Sequence, residues 1–513
     1  MSGDVEYLLT AGEAWPAFER EMLRAKTRIA AGFRVFDPST GLRTDEAKAI
    51  GEDWFDLILH VLGKGVRFDL ILSDFEPIAA PDMHELTWSS MRKFAVLREL
   101  AGPEAPLSIV AAMHPAEVGE LPRAALWPKA RQELHDLCDV LNDYPAERRR
   151  QSFADLPGTH DWLRFDADGK LEVYAMGPPR LNPVTHHQKL AVFDGEVLYI
   201  GGLDLNPRRY DTPLHHRSAE ETWHDVQVLV RDKVAATAAE AHLDNMLDSV
   251  AGKSDPPEEA GGFCTTLTAW RSTHFSMAPA IVRNSIGDNH YAEIARTERQ
   301  FYFETQFFRD LKLADALAAR GKEMPEAEFL MILPAAPEDV AFERRRKLDS
   351  RYGEYLQAQC VSRVMEAFGD RCFFAVPVQR RTAQAGPMDE DDRSTFGGAP
   401  LVYVHAKVSV FDRRSMIVSS ANLNARSLRW DTEAGIRRED SALADQILRR
   451  SMTHWLPETP IDHDAPLVPQ VREQAELDAV RQPDNRGGYL LPYDVSIAAS
   501  FGTNLPGVPE ELV

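Results

Sequence analysis

The sequence predicts an α/β fold of two pseudo-symmetric halves, each a mixed sheet flanked by helices, with a single site at their interface. Three observations carry that prediction. A motif recurs almost half the chain apart: Thr185–Asp194 reads THHQKLAVFD and Val404–Asp412 reads VHAKVSVFD. Both hold His-x-Lys, a four-residue spacer and Asp, giving His187, Lys189, Asp194 and His405, Lys407, Asp412. A pair of small residues follows each Asp at the same distance, Gly201-Gly202 and Ser419-Ser420, with a polar side chain just beyond, Asp204 and Asn422. Upstream of each motif, helical and strand patterns come in the same order, the alternation that builds layered α/β domains.

Taken in order, residues 15–31 show a helical pattern leading into an apolar run at 33–36. A helix over 54–62 and a strand over 68–72 follow. Residues 75–183 read as an insertion containing a polar helix over 124–150. In the first motif, alternation places His187, Lys189 and Ala191 on one strand face. The Pro/Gly/acidic stretch AGKSDPPEEAGG, Ala251–Gly262, reads as the linker between halves. In the second copy, residues 294–300 lead into an apolar run at 301–303, then a helix over 311–320 and a strand over 329–333. Val378–Pro400, with acidic residues 389–392 and Gly397-Gly398, reads as an inserted loop before the second motif. There His405, Lys407 and Ser409 share a face. From Pro457 onward the chain is Pro-rich with little periodicity and is expected to wrap the surface. The domains so predicted are 1–250, 263–455 and a tail, 456–513.

Composition narrows the function. Against 58 Lys and Arg stand 80 Asp and Glu, a net charge of −22, which disfavours nucleic acid as a partner. No apolar run of about 20 residues is present to span a bilayer. The N-terminus lacks a basic segment followed by an apolar core, so a cytoplasmic location is expected, with leaderless export left open. The four cysteines, Cys138, Cys264, Cys360 and Cys372, show no CxxC spacing, which argues against a disulfide framework and a zinc site. No metal and no cofactor are expected.

The duplicated residues suit phosphoryl chemistry. One histidine can attack phosphorus while the other protonates the leaving oxygen. Two lysines and Asn422 can hold the non-bridging oxygens where charge develops, in the place a metal would otherwise take. The paired motifs resemble the phospholipase D superfamily, most closely the catalytic core of its eukaryotic-type members. THHQK, GGLDL, RYDTP (Arg209–Pro213) and WHD (Trp223–Asp225) resemble the first half of that core. FETQFF (Phe303–Phe308), YVHAK, SSANLNARS (Ser419–Ser427) and DTEAG (Asp431–Gly435) resemble the second, and LLPYDV and NLPGVPEEL its end.

The resemblance implies two phospholipase D-like halves and a monomer that contacts a phospholipid substrate, with transient membrane-surface contact. His187 would be the nucleophile, forming a phosphohistidine, and His405 the general acid and later the base. Asp225 and Glu433 would accept the Nδ1–H of His187 and His405 respectively. Asp194 and Asp412 read as structural. Asp204, Ser420, Glu304 and Gln306 are placed at the substrate pocket, the last two at its floor. The two histidines are expected to share one proton near neutral pH. His186, His215, His216 and His224 read as solvated or supporting, and Arg148–Arg150 and Arg344–Lys347 as solvated helix faces.

The implied reaction is hydrolysis of a glycerophospholipid to phosphatidate and a headgroup alcohol, with transphosphatidylation to added alcohols. The alternatives are a phosphatidyltransferase of the cardiolipin or phosphatidylserine synthase kind, then a nuclease of the same superfamily, and, from another class, an inactive interaction protein. Two departures stand out. Ser419 occupies a position where the family usually has Gly. No lipid-binding module is expected before residue 25, so membrane recruitment is expected to differ from that of the plant and animal enzymes or to be absent.

Overall fold

Strand segments such as LAVF (Leu190–Phe193) and VLYIG (Val197–Gly201) are apolar on both faces, so both faces need cover. The computed structural model, which describes residues 4–174, 177–343, 347–383 and 393–513, supplies it as four layers. The N-terminal sheet holds β1 (Val5–Leu9), β2 (Arg28–Phe33), β3 (Arg67–Ser73), β4 (Leu107–Ala112), β5 (Leu190–Phe193), β6 (Val197–Gly201) and β7 (Val226–Val230). Their spatial order is β1-β7-β6-β5-β2-β3-β4. Strands β2, β3 and β4 run parallel, and the other neighbours pair antiparallel. The longer helices of this half are α1 (Thr10–Arg24), α2 (Trp54–Gly63), α3 (Pro81–Ala101), α4 (Glu120–Asn142) and α5 (Lys233–Val250).

The C-terminal sheet holds β8 (Phe263–Ala269), β9 (Ala280–Asn284), β10 (Gln300–Glu304), β11 (Glu328–Ile332), β12 (Cys372–Pro377), β13 (Val408–Phe411), β14 (Ser415–Ser419), β15 (Glu433–Glu439) and β16 (Leu490–Pro492). Their order is β9-β8-β15-β14-β13-β10-β11-β12-β16. Without its two edge strands this repeats the N-terminal order, including the parallel trio β10, β11 and β12. Its longer helices are α6 (Ser285–Arg296), α7 (Leu311–Glu323), α8 (Leu348–Phe368), α9 (Ser441–Trp455) and α10 (Leu467–Ala479).

Side-chain alternation sorts the strands into layers. Leu190, Val192, Leu198 and Ile200 meet Val408, Val410, Met416 and Val418 in one core shared by the two sheets. Their neighbours Ala191, Phe193 and Tyr199 face the other way, against Trp15 and Phe18 of α1 and Trp54 of α2. Phe301, Phe303 and Ile417 likewise face Leu317 of α7 and Val361 of α8. Truncating one fully buried aliphatic side chain of the shared core to Ala would cost about 2–5 kcal/mol.

The Asp that ends each motif is a turn device. Asp194 and Gly195 have φ of 55° and 65°, and Asp412 and Arg413 have 53° and 50°. Positive φ at both central residues is the signature of the tight hairpin turn whose twist matches the strands it joins. The Asp194 carboxylate accepts the backbone N–H of Lys26 (2.9 Å), Thr27 (2.8 Å) and Arg28 (3.0 Å) at the start of β2. Asp412 does the same for Glu298 (2.8 Å), Arg299 (2.8 Å) and Gln300 (2.9 Å) at the start of β10.

Ser419, the departure from Gly, is accommodated by a trade within the strand pair. It lies opposite Gly435, where an added Cβ would sit 2.6 Å from the Ser419 Cβ. In the first half Gly201 lies opposite Gln227, and its added Cβ would sit 2.4 Å from the Gln227 Oε1. One small residue per pair suffices, and the halves place it on opposite strands.

Two sequence expectations change. The insertion at 75–183 is shorter than expected, because α3 and β4 belong to the core layers and correspond to α8 and β12. Strand β4 is an edge strand with partly exposed side chains, which weakens its pattern. Beyond it the inserted part holds α4, a second helix, Ala146–Ala154, and a small hairpin of Leu163–Phe165 with Leu171–Val173. The tail from 457 does more than wrap. Its α10 buries Val468, Val471 and Ala475, and β16 adds an antiparallel edge to β12. Of the loop at 378–400, residues 384–392 lie outside the described residues, as do 344–346 of the basic cluster. Among the described residues no helix is long and apolar enough to cross a membrane. All four cysteines are free and buried.

Asp412→Ala removes the carboxylate that accepts three backbone N–H groups, and a residue type that tolerates positive φ. It should lower stability by about 1–3 kcal/mol, read as a lower denaturant midpoint, with unchanged activity per folded molecule below the transition.

Candidate active site

The site forms where each half's motif meets the other half. His187 and Lys189 lie in the extended segment entering β5, and His405 and Lys407 in the one entering β13. Each segment makes an isolated parallel bridge across the interface, His186 with Thr432 and Val404 with His224. The His187 N–H donates to the Thr432 carbonyl (2.8 Å), and Thr432 donates to the Thr185 carbonyl (2.9 Å). The His224 N–H donates to the Tyr403 carbonyl (2.8 Å), and His405 donates to the His224 carbonyl (2.7 Å).

That register sets which carboxylate each imidazole receives, and it reverses the sequence expectation. His187 Nδ1 lies 2.9 Å and 3.1 Å from the two Glu433 oxygens, and His405 Nδ1 lies 2.6 Å from Asp225 Oδ2. Each histidine is held by the acid of the opposite half. Proximity along the chain pointed the other way, because Asp225 and Glu433 each follow their own half's histidine. In space, the residue after each bridged position belongs to the partner half. A carboxylate on Nδ1 keeps the proton there and leaves Nε2 as the reactive nitrogen.

The two imidazole rings face one another with centroids 6.5 Å apart. His187 keeps 12% of its side-chain surface exposed and His405 3%, so the cleft opens on the His187 side. Lys189 Nζ donates back to the His187 carbonyl (2.6 Å), and Lys407 Nζ donates to that of His405. Asn422 is buried, and its Oδ1 has no protein partner.

Burial dominates the electrostatics. It holds the His187 imidazole well below its ordinary range, helped by Lys189, Arg34 and Lys407. It does the same to His405, helped by Lys407 and Lys189. Both shifts run against the single shared proton expected from sequence. Burial pushes the Lys407 ammonium down to about 7, although Asp225 pulls it upward, and it lowers Lys189 as well. Burial raises the Asp225 carboxyl to about 6 and also raises Glu433.

The remaining expected residues sit around this centre. Ser420 donates its hydroxyl to Glu433, so it orients that carboxylate. Its counterpart Gly202 leaves room for Asp225, whose Oδ1 would lie 2.2 Å from an added Cβ. Asp204 is wholly buried, accepts the Val35 N–H (3.1 Å), and lies 3.6 Å from Arg34 Nη1 and 4.0 Å from Lys189 Nζ. Burial alone would raise its carboxyl, but Lys189, Arg34 and Arg209 outweigh that and hold it below the usual range. It serves as the counter-charge to these cations and, as an acceptor, has nothing to offer a phosphoryl oxygen. Glu304 accepts from His224 Nε2 (2.8 Å), Trp455 Nε1 (3.0 Å) and the Tyr302 hydroxyl, and Gln306 donates to the Tyr403 hydroxyl (3.0 Å). Both lie one layer behind the histidines. His186, His215 and His224 are buried, while His216 is exposed.

Sequence reasoning missed Arg34, which follows β2 and belongs to no motif, and assigned no role to Arg209, the first residue of RYDTP. The Arg209 guanidinium lies 3.5 Å over the Trp223 ring, which in turn packs 4.6 Å from the His405 ring. Arg209 and Arg208 both pair with Glu338.

The family profile described as "Cardiolipin synthase, PLD-like domain" matches residues 291–455. Phospholipase D alpha 1 of Carica papaya is 24% identical over 355 residues, covering 48% of this chain and 44% of that protein. Phospholipase D1 of Schizosaccharomyces pombe is 22% identical over 343 residues, covering 49% and 24%. The match thus spans less than half the length of these curated relatives. The crystal structure of phosphatidylserine synthase from Haemophilus influenzae Rd KW20 is similar in fold, with a TM-score of 0.51 at 13% identity, over 88% of this chain and 86% of that one.

The crossed acids can be checked by double-mutant cycles in stability. His187→Ala with Glu433→Gln, and His405→Ala with Asp225→Asn, should each show a coupling of about 0.5–3 kcal/mol. His187→Ala with Asp225→Asn should come closer to additivity, and the reverse ranking would refute the crossing.

Proposed function

We propose that this chain, a member of the phospholipase D superfamily with a PLD-like domain, is a phospholipase D-type phosphodiesterase that cleaves glycerophospholipids to phosphatidate and a headgroup alcohol. The observation that carries this reading is the facing pair of imidazoles, 6.5 Å apart, each backed by a carboxylate and flanked by a buried lysine. His187, at the open side of the cleft, attacks phosphorus through Nε2. The P–N bond forms as the bond to the headgroup oxygen breaks, and His405 Nε2 gives that oxygen its proton. Water then enters and His405 takes a proton from it; the water oxygen bonds to phosphorus as the P–N bond breaks, which releases phosphatidate and returns His187.

Lys189, Lys407 and the Asn422 amide hold the non-bridging oxygens as charge grows on them. The substrate anion also resolves the protonation problem. Brought between the lysines, it opposes the positive field that depresses both histidines and lets His405 take up the proton it must deliver. Delivery of such a proton in the transition state contributes about 10²–10⁴ in rate.

A second reading, phosphatidyl transfer to an alcohol, uses the same adduct with a different acceptor. It is favoured by the description of the matching family profile and by the fold likeness to a phosphatidylserine synthase across most of both chains. Incubating the protein with a mixed phospholipid extract, with and without a primary alcohol, separates the two. Hydrolysis predicts phosphatidate in both samples and transfer predicts lipid product only with the acceptor. No lipid product in either removes both readings.

Mass spectrometry of an acid-labile adduct should place the phosphoryl group on His187. His405→Ala should still form it from a p-nitrophenyl ester, whose leaving group needs little protonation, and His187→Ala should form none. An adduct on His405 would reverse the roles.

The depressed Lys407 ammonium sets a pH dependence. It faces Asp225 and Glu433, which favour its charge, and Lys189, which opposes it. Its positive charge is present below about pH 7 and lost above, so kcat/KM should fall on the alkaline side of neutrality. Lys407→Arg, which stays charged, should move that limb to higher pH, and a wild-type profile flat through neutrality would remove Lys407 from this role.

A further inference from the structure

Behind the catalytic strands lies a second cluster that the phosphoryl chemistry does not use. His215, His224 and His454 are 0%, 0% and 9% exposed. One nitrogen from each lies within 4.8 Å of the other two, and His215 Nε2 and His454 Nε2 are 3.1 Å apart. The three ring centroids are separated by 5.0, 5.1 and 5.7 Å. A tetrahedral ion with nitrogen ligands about 2.0–2.1 Å away holds imidazole centroids roughly 5 Å apart, so the spacing is already that of a three-histidine site.

The tautomers agree with it. His215 Nδ1 lies 2.7 Å from Asp211 Oδ2, and His224 Nε2 lies 2.8 Å from Glu304 Oε2. Asp211 and Glu304 are both buried, so each keeps a proton on the nitrogen it faces. The lone pairs left over, on His215 Nε2 and His224 Nδ1, belong to the cluster. His224 Nδ1 is buried and has no protein partner. A His454 proton can satisfy His215 but leaves that acceptor unmet, which is costly in an interior. A carboxylate behind the imidazole is also how metal-ligating histidines are commonly oriented. His215 further adopts a φ of 50°, a conformation that persists in a non-glycine residue only when its surroundings hold it.

We propose that His215, His224 and His454 bind one borderline-soft divalent cation, Zn²⁺, with water as the fourth ligand. An all-imidazole set suits zinc and not Mg²⁺ or Ca²⁺, which take oxygen ligands. The ion ties the halves together, since His215 and His224 come from the first and His454 from the end of α9 in the second. The His224 carbonyl accepts the His405 N–H, and the next residue, Asp225, holds the His405 ring. The ion thus fixes the strand that presents the general acid, without touching phosphorus. The sequence offers no complete local spacing for it, because His454 is distant along the chain from His215 and His224.

The test uses the full chain without an affinity tag. Chelator-stripped protein is titrated with Zn²⁺, and separately with Co²⁺ as a spectroscopic probe. The expected result is one equivalent of Zn²⁺ per chain, a raised thermal midpoint on adding it, and the visible absorption of tetrahedral Co²⁺. His454→Gln should lose the stoichiometric ion and the zinc-dependent rise, while His216→Asn, at an exposed neighbour, should keep both. A His454→Gln chain that binds zinc as wild type does overturns the proposal. Should that variant fail to fold, the wild type decides: no midpoint shift with Zn²⁺ and no tetrahedral Co²⁺ spectrum overturn it equally.

Discussion

Two short stretches of parallel backbone pairing between the halves are what everything at the centre depends on. They contribute few hydrogen bonds, but they fix the register of one half against the other. A slip of a single residue at Thr432 would carry Glu433 away from His187 and turn its side chain to the opposite face. The shared core between the sheets supplies the energy of association, and the bridges supply its accuracy. Neither half backs its own motif histidine with a carboxylate of its own.

Around that frame the protein holds a concentration of buried positive charge. Lys189 and Lys407 are buried, and Arg34 and Arg209 stand beside them. Buried charges are tolerated where they are paired, and Asp204, Asp225 and Glu433 supply the pairing here. Burial lowers both lysines and both histidines, and neighbouring cations lower them further. The site is therefore complementary to an added anion before any arrives. In the proposed reaction, electrostatic stabilisation of the phosphoryl group then requires little rearrangement of the protein.

The duplication was legible because its residues keep their spacing along the chain. The motifs, the small pairs and the apolar strand runs all obey short-range rules of period and turn, and they suffice for two α/β halves. What spacing cannot convey is which surfaces of the halves meet. The acid pairing was misread for that reason, since chain order associates Asp225 with His187 and the interface associates it with His405. Arg34 and the cluster of His215, His224 and His454 escaped similarly, being assembled from segments with no common motif. Strand β4 and helix α10 were missed differently: an edge strand and a peripheral helix are partly wet, so their patterns are diluted.

The linker at 251–262 has a consequence for symmetry. Two identical halves associating about a true twofold axis would give both histidines the same exposure, the same carboxylate and the same proton affinity. Covalent fusion lifts that restriction. The chain places Glu433 behind one ring and Asp225 behind the other, Asp204 in one half where the other has Asn422, and leaves one ring more open than its mate. In the proposed reaction a nucleophile and an acid must differ, and joining the halves in one chain is what permits each side of the cleft to be adjusted independently of its twin.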